Sequence, residues 1–182
     1  MFTALKSLVS KNNKAKPKST LTLGVDPRTL SSEKLKAPFP LPYISRKSLK
    51  RVAHRMPIPE CCNCCGEKSV HLTSNSEIYG REFGEWPYAY LCSSCDAYVG
   101  VHKHTDLPLG TLADKSTREA RKSCKFSFLL LQDANYKNSR SELYEWLAKQ
   151  LDIPFEECHW ACFDEAQCLK AKDICILACE EL

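Results

Sequence analysis

The sequence predicts an α+β protein with a zinc-ribbon-like β-hairpin module over residues 56–104, followed by a small helical C-terminal part over residues 105–182. A basic, largely disordered arm is expected over residues 1–55. Two C-x-x-C motifs flank a segment with the alternating pattern of short strands, and the last third carries helix start signals. At 182 residues, one domain with an extension is the natural expectation.

The arm is marked by its charge. Residues 1–60 hold 13 Lys or Arg against 3 Asp or Glu, whereas residues 61–182 hold 13 against 19. Five prolines interrupt any long helix: Pro17, Pro27, Pro38, Pro40 and Pro42. Such an arm either seeks phosphate or an acidic protein surface, or is a solvated tail. Its densest basic stretch, residues 45–55, is a candidate short helix and supplies candidate phosphate contacts at Arg46, Lys47, Lys50 and Arg51.

Four cysteines form the predicted metal site. Cys62 and Cys65 make one C-x-x-C pair, and Cys92 and Cys95 make another. Two such pairs supply four thiolates for one tetrahedral, structural zinc ion. Disulfides are the alternative, but residues 1–10 lack a secretory signal and the chain is longer than most disulfide-stapled modules. These features, with no apolar run near 18 residues, predict a cytoplasmic protein without a membrane span.

The first knuckle has two possible registers, because Cys61 and Cys64 are also spaced as C-x-x-C. Gly66 favours Cys62 and Cys65, since a glycine directly after the second cysteine lets the chain turn without a Cβ clash. His102 and His104 follow the second knuckle and are possible additional metal ligands, although histidines near a complete four-cysteine site are more often structural.

Strands are expected throughout the ribbon. Residues 69–73 and 77–79 alternate as a hairpin around residues 74–76, and residues 86–91 and 97–102 read as further strands. The ribbon aromatics form either a stacking surface for bases or, more simply, its small core: Tyr79, Trp86, Tyr88, Tyr90 and Tyr98.

Three helices are expected after the ribbon. The first starts near residues 114–117 and has one apolar face formed by Ala120, Cys124, Phe128 and Leu131. Its other side is either solvated or contacts phosphate, through Arg118, Arg121, Lys122 and Lys125. Ser139 with Glu142 and Asp164 with Gln167 have the spacing of capping boxes and predict the starts of the two remaining helices.

The order of motifs resembles a family of bacterial and phage-borne zinc-finger-containing domains of unknown function. The similarity covers residues 57–179 and lies in C-x-x-C-G, IYG, Y-x-C-x-x-C-x-AYVG-x-H, PLGTLAD, R-x-x-R, SRSELYEWLA and ECH. It implies zinc at Cys62, Cys65, Cys92 and Cys95, and no established activity. Cys124 stands where relatives tend to carry a histidine, and a cysteine does not replace imidazole as a general base near pH 7.

Three functions remain open from the sequence. The first is a non-enzymatic nucleic-acid-binding protein, in which the basic residues contact phosphates. The second is a phage module that binds a host protein of the transcription, nuclease or defence machinery, with Trp160 as an anchor if it is exposed. The third is a metal-dependent nuclease that would use His102, His104, Asp106 and His159. No small-molecule substrate is indicated.

Overall fold

The computed structural model describes residues 22–134 and 139–182 and has the α+β fold that the sequence predicts. The strands in chain order are β1 Thr22–Leu23, β2 His54–Arg55, β3 Val70–Ser74, β4 Tyr88–Cys92 and β5 Tyr98–Gly100. The helices are α1 Arg46–Leu49, α2 Ser76–Tyr79, α3 Lys115–Ala134, α4 Arg140–Leu151 and α5 Glu165–Glu180. Within the described ranges, every helix is too short or too polar to cross a membrane.

The ribbon is built on a three-stranded antiparallel sheet in the order β3–β4–β5. Tyr90 of the central strand pairs with Leu72 on one side and with Val99 on the other. Its ring is buried, and its hydroxyl donates a hydrogen bond of 2.9 Å to the Asp106 carbonyl oxygen. Tyr90 therefore belongs to the small core of the ribbon, which is the simpler of the two expectations for the aromatic residues.

One strand prediction was wrong. Residues 77–79 are not the second strand of a hairpin but part of the helical turn α2, which ends at Gly80 with a φ of 74°. β3 pairs instead with β4, and the Asn75 side chain bonds to the backbone of Phe83 within the connection. Three residues of alternating polarity are too few to distinguish a strand from a single helical turn.

The three long helices form the second and larger core. α3 packs mainly on α5, and Phe128 lies fully buried between Tyr144 and Trp160, with ring centroids 4.8 and 5.1 Å away. Trp160 is only 6% exposed, so it is a core residue and does not serve as a surface anchor. Cys124 also lies in this core, which gives that position a packing role.

The described part of the predicted arm is folded, whereas residues 1–21 lie outside the described residues. β1 pairs with β2, and Arg28 bonds both carboxylate oxygens of Asp106 at 2.7 and 2.8 Å. Leu49 of α1 is fully buried in a small cluster with Leu107. Disorder was expected because charge and proline dominate the composition, but a few apolar residues suffice to hold this segment against the ribbon.

Candidate metal centre and basic groove

The four predicted cysteines converge at one point. All four Sγ atoms lie within 4.8 Å of one another, with Cys62 and Cys95 at 3.6 Å and Cys65 and Cys92 at 3.7 Å. Four thiolates around zinc at a Zn–S distance of about 2.3 Å have S···S separations of about 3.8 Å. The observed distances match that tetrahedron and far exceed the disulfide length of about 2.0 Å. The cluster therefore fits one structural zinc ion, and the expected cofactor is confirmed.

Each C-x-x-C pair forms a knuckle of the same geometry. The Gly66 amide donates to the Cys62 carbonyl at 2.8 Å, and the Asp96 amide donates to the Cys92 carbonyl at 3.0 Å. Gly66 has a φ of 81° and Asp96 has a φ of 56°. Both residues therefore take the left-handed conformation that turns the chain after the second cysteine, which glycine and aspartate tolerate better than most residues.

The electrostatics of the four thiols depend on burial and on local donors. Burial raises the pKa of the Cys62 thiol and raises the pKa of Cys95 to about 11. Burial also opposes ionisation of Cys92, but hydrogen bonds from Ser69 and from the Ser94 and Cys95 amides outweigh it, and the pKa is lowered to about 6. A bound zinc ion would offset the cost of burying negative charge here, because a cation stabilises all four thiolates together.

Cys61 and Cys64, the cysteines of the alternative register, are not part of the four-sulfur cluster. Cys64 is exposed, and its Sγ lies 3.6 Å from the carbonyl oxygen of Leu112. The Asn63 side chain donates to the same oxygen at 2.9 Å. The knuckle residues between the ligands thus tie the PLGTLAD loop to the metal centre, while Cys61 stays outside the four-sulfur cluster.

The additional histidines do not assemble a second site within the residues that the structure describes. There, the four cysteines are the one group in which three or more potential ligand atoms converge. His104 Nδ1 lies 2.8 Å from the Tyr43 hydroxyl, and its ring stacks on Tyr43. Asp106 is bonded by Arg28, so this carboxylate and His104 are each engaged by a side chain outside the nuclease candidates.

Two of the candidate phosphate contacts on α3 form hydrogen bonds within the protein. Arg121 donates hydrogen bonds to the Phe163 carbonyl oxygen at 2.8 Å and to the Thr111 hydroxyl at 2.7 Å. Arg118 donates to the Ala113 carbonyl oxygen at 2.6 Å, and its guanidinium lies over the Tyr98 ring. Both arginines fasten α3 to the preceding loop, because their long side chains reach from the flank of the helix back to backbone carbonyls.

The remaining predicted basic residues divide by exposure. Arg46 is half-buried and hydrogen-bonds the Glu33 carbonyl oxygen, so it is a poor candidate for phosphate. The others project into solvent: Lys47, Lys50, Arg51, Lys122 and Lys125. Of these five, Arg51 lines the groove described below.

A groove of about 520 Å³ opens where the N-terminal segment, the ribbon and the helical part meet. Its basic side chains come from four separate stretches of sequence: Arg51, His54, His102, Arg140 and His159. We call this feature the basic groove. Sequence reasoning missed it because no single segment carries the pattern. The signals in the sequence were Arg51, a candidate phosphate contact, and the histidines His102 and His159 of the quoted motifs.

The pKa values of two histidines in the basic groove are lowered, mainly by desolvation. Burial lowers the pKa of His102, and the neighbouring His159 lowers it further. Partial desolvation in the groove is also the main cause of the lowered pKa of His159, whose side chain still reaches solvent, and nearby positive charges add to it: Arg121, Lys125, Arg140 and His54. The smaller part of these shifts, which comes from nearby positive charges, indicates a field that attracts anions.

Comparison with known proteins identifies a family. A family model described as a zinc-finger-containing domain matches residues 58–176, which include all four cysteines of the metal centre. No curated protein and no solved structure matches the chain. The match spans well over half of the sequence and coincides with a four-thiolate site of the right dimensions. The chain therefore belongs to the family of zinc-finger-containing domains.

Proposed function

We propose that this protein is a non-enzymatic nucleic-acid-binding module, encoded by a phage or bacterium and acting in the bacterial cytoplasm. The basic groove is the observation that carries the proposal. Its rim combines two guanidinium groups, Arg51 and Arg140, with imidazoles from three different segments. Phosphates are the most abundant anionic groups of nucleic acids, and contacts with them dominate the affinity of such proteins.

The zinc ion has a structural role in this proposal. Four cysteines close the coordination shell and leave no position for a substrate or an activated water molecule. The ion instead fixes the ribbon, and His102, two residues after β5, lines the basic groove. Metal binding and ligand binding are then coupled through the rigidity of the ribbon, because binding free energy at such sites is folding free energy.

The charge around the basic groove supports an anionic ligand. Glu156 is the acidic residue in its lining, against the two cations Arg51 and Arg140. Lys125 is exposed on α3, close enough for its charge to lower the pKa of His159. The net positive field would attract a polyanion even though residues 61–182 carry excess negative charge overall.

Fluorescence anisotropy with labelled DNA and RNA at several salt concentrations tests the proposal. We expect affinity to fall linearly with the logarithm of salt concentration, since counterion release drives binding. Replacing Arg51 and Arg140 together by alanine should weaken binding at low salt and reduce that slope by roughly 1.5, about two phosphate contacts.

The matched control is the double variant of Lys149 and Lys170, which removes two exposed cations outside the basic groove. It should leave both affinity and slope close to those of the unchanged protein. Absence of binding, or binding that does not respond to salt, would contradict the proposal.

A second candidate function, binding of a host protein, is favoured by apolar side chains that face solvent on two helices. α3 carries Phe126 and Leu130, and α5 carries Leu169, Ile176 and Leu177. Clustered exposed apolar groups often mark protein interfaces. Co-purification of a partner from nuclease-treated bacterial lysate, lost on Leu177→Glu and kept in the Arg51 and Arg140 double variant, would support this function over the first.

A further inference from the structure

We infer that the basic groove binds an unpaired nucleotide of single-stranded nucleic acid, whose base stacks on Phe155 while its phosphate faces Arg51 and Arg140. The inference rests on the proposed function and specifies its ligand class. It is carried by three properties of the basic groove: its size, an aromatic ring that contacts no other ring among the described residues, and the donor chemistry of its rim.

The size of the basic groove suits one nucleotide. Its volume of about 520 Å³ lies within the range of about 300–1,000 Å³ that is usual for pockets enclosing a small organic molecule. Duplex readout requires the opposite shape, namely a helix or β-ribbon that projects into a DNA groove about 12 Å wide. A concave site walled by three parts of the chain accepts a base that has left its stack.

Phe155 supplies the stacking surface. It begins the short 3-10 turn Phe155–Glu157 and is 45% exposed at the edge of the basic groove. It takes part in none of the ring contacts found among the described aromatic residues, whereas Phe128, Trp160 and Phe163 pack on one another. Leu109, also in the lining and 46% exposed, adds a second apolar surface. Stacking one base on an aromatic ring typically changes affinity by roughly tenfold or more.

The rim presents hydrogen-bond donors. The Ala161 amide donates to His159 Nδ1 at 3.2 Å, so the neutral imidazole carries its proton on Nε2 and presents a donor there. Arg51 and Arg140 can only donate. Charge-assisted bonds from such groups to phosphate oxygens are short and strong. The donors of the rim thus suit the phosphate of a single nucleotide, and the stacking surface suits its base.

The test compares ligands of equal length in fluorescence anisotropy at one salt concentration. We use an oligothymidylate, a single-stranded RNA of mixed sequence, and a DNA duplex, each with the same label. Both single strands are expected to bind at least tenfold more tightly than the duplex. The two single-stranded arms distinguish a DNA preference from an RNA preference, and either one supports the inference.

Two further measurements isolate the base. A strand with the same phosphates but abasic sugars should bind roughly tenfold more weakly than the oligothymidylate. Phe155→Ala should cause a similar loss for the oligothymidylate and no loss for the duplex, while Phe155→Trp should retain binding. Phe126→Ala is the matched control, because Phe126 is 62% exposed on α3 and lies outside the basic groove.

The outcomes separate the two proposals. If no nucleic acid binds, both fail. If the duplex binds as tightly as the single strands and still needs Arg51 and Arg140, the proposed function stands and the single-strand inference is overturned. Equal binding of abasic and normal strands overturns it as well, and that comparison uses the unchanged protein, so it holds even if Phe155→Ala fails to fold.

Discussion

The ribbon and the helical part of this molecule are each stabilised by a different kind of interaction. In the described chain, the buried cluster of the ribbon comprises seven residues, and two of them, Cys62 and Cys92, are zinc ligands. The buried cluster of the helical part comprises thirteen residues, including Phe128, Trp160 and Phe163. Apolar burial stabilises a fold in proportion to the area removed from water, so the smaller core needs the metal ion while the larger one does not.

The largest expected effect comes from breaking the metal centre. Cys92→Ser, or a strong chelator, should unfold the ribbon, since structural zinc contributes on the order of 10–16 kcal/mol in small zinc domains. We expect one zinc ion per chain before treatment and none after it, as measured by metal analysis. The environment of Trp86, whose indole donates to the Thr105 carbonyl oxygen, should change with it.

The contrast between the two parts is tested in the same samples. Far-UV circular dichroism should retain most of its helical signal after zinc is removed, because the core of α3, α4 and α5 contains none of the four zinc ligands. Cys179→Ser, which alters a cysteine of the helical part, is the control and should keep its zinc. Simultaneous loss of helix and zinc would show that the difference between the parts is smaller than we infer.

The second-largest effect is expected when the helical core is weakened and the metal centre is left intact. Phe128→Ala removes a fully buried ring at the centre of the helical core and should lower the free energy of unfolding by about 3–5 kcal/mol. Chemical denaturation followed by circular dichroism measures this loss. Zinc content should stay at one ion per chain. Phe126→Ala, two residues away but exposed, should change stability by less than about 0.5 kcal/mol.

The third effect is expected at the contact between the ribbon loop and the helical part, where Gly110 lies against Ala161. A Cβ at Gly110 would overlap the carbonyl oxygen of Ala161, and the next residue, Thr111, donates its amide to that oxygen at 2.9 Å. Gly110→Ala should therefore push the ribbon loop away from the helical part and destabilise the protein by about 1–3 kcal/mol. Denaturation followed separately by release of zinc from the ribbon and by helical signal should reveal two transitions instead of one.

Gly100→Ala is the comparison for that variant. The added Cβ would lie 3.3 Å from Leu109 Cδ1, the end of an exposed side chain that can move. Its effect should be smaller, and the two signals should stay coincident. If Gly100→Ala and Gly110→Ala behave alike, close packing at Ala161 does not couple the parts.

The smallest effect is expected at the capping box that starts α4 in the helical part. Ser139 Oγ accepts the Glu142 amide at 3.2 Å, and the Glu142 carboxylate accepts the Ser139 amide at 2.6 Å. Ser139→Ala should cost about 1 kcal/mol in thermal or denaturant unfolding, without loss of zinc. Ser141→Ala, on the exposed first turn of the same helix, should have almost no effect.

The features that sequence reasoning predicted are those with local causes. The C-x-x-C spacing confines each thiol pair to one turn, and Gly66 selected the register that the structure has. The capping boxes at Ser139 and Asp164 depend on residues three positions apart, and both are present. The apolar spacing from Ala120 to Leu131 likewise identified the buried face of α3.

The features that it missed depend on tertiary contacts. Arg121 lies on the flank of α3, and only the position of Phe163 and Thr111 decides that it points inward. Residues 77–79 form a helical turn because they lie in the connection between the paired strands β3 and β4. Their alternating polarity does not decide their structure. The basic groove arises where three parts of the chain meet, so periodicity and spacing within any one part carry no signal of it.

Arg28 has a consequence for how the protein should be shortened. The family match starts at residue 58, yet Arg28 neutralises the buried Asp106 carboxylate from far upstream. A fragment trimmed to the match would leave that charge without its counter-ion and would expose the pocket filled by Leu49, so it should be less stable than the longer chain. It would also lack Arg51 and His54. A sound minimal fragment therefore begins upstream of Asp26.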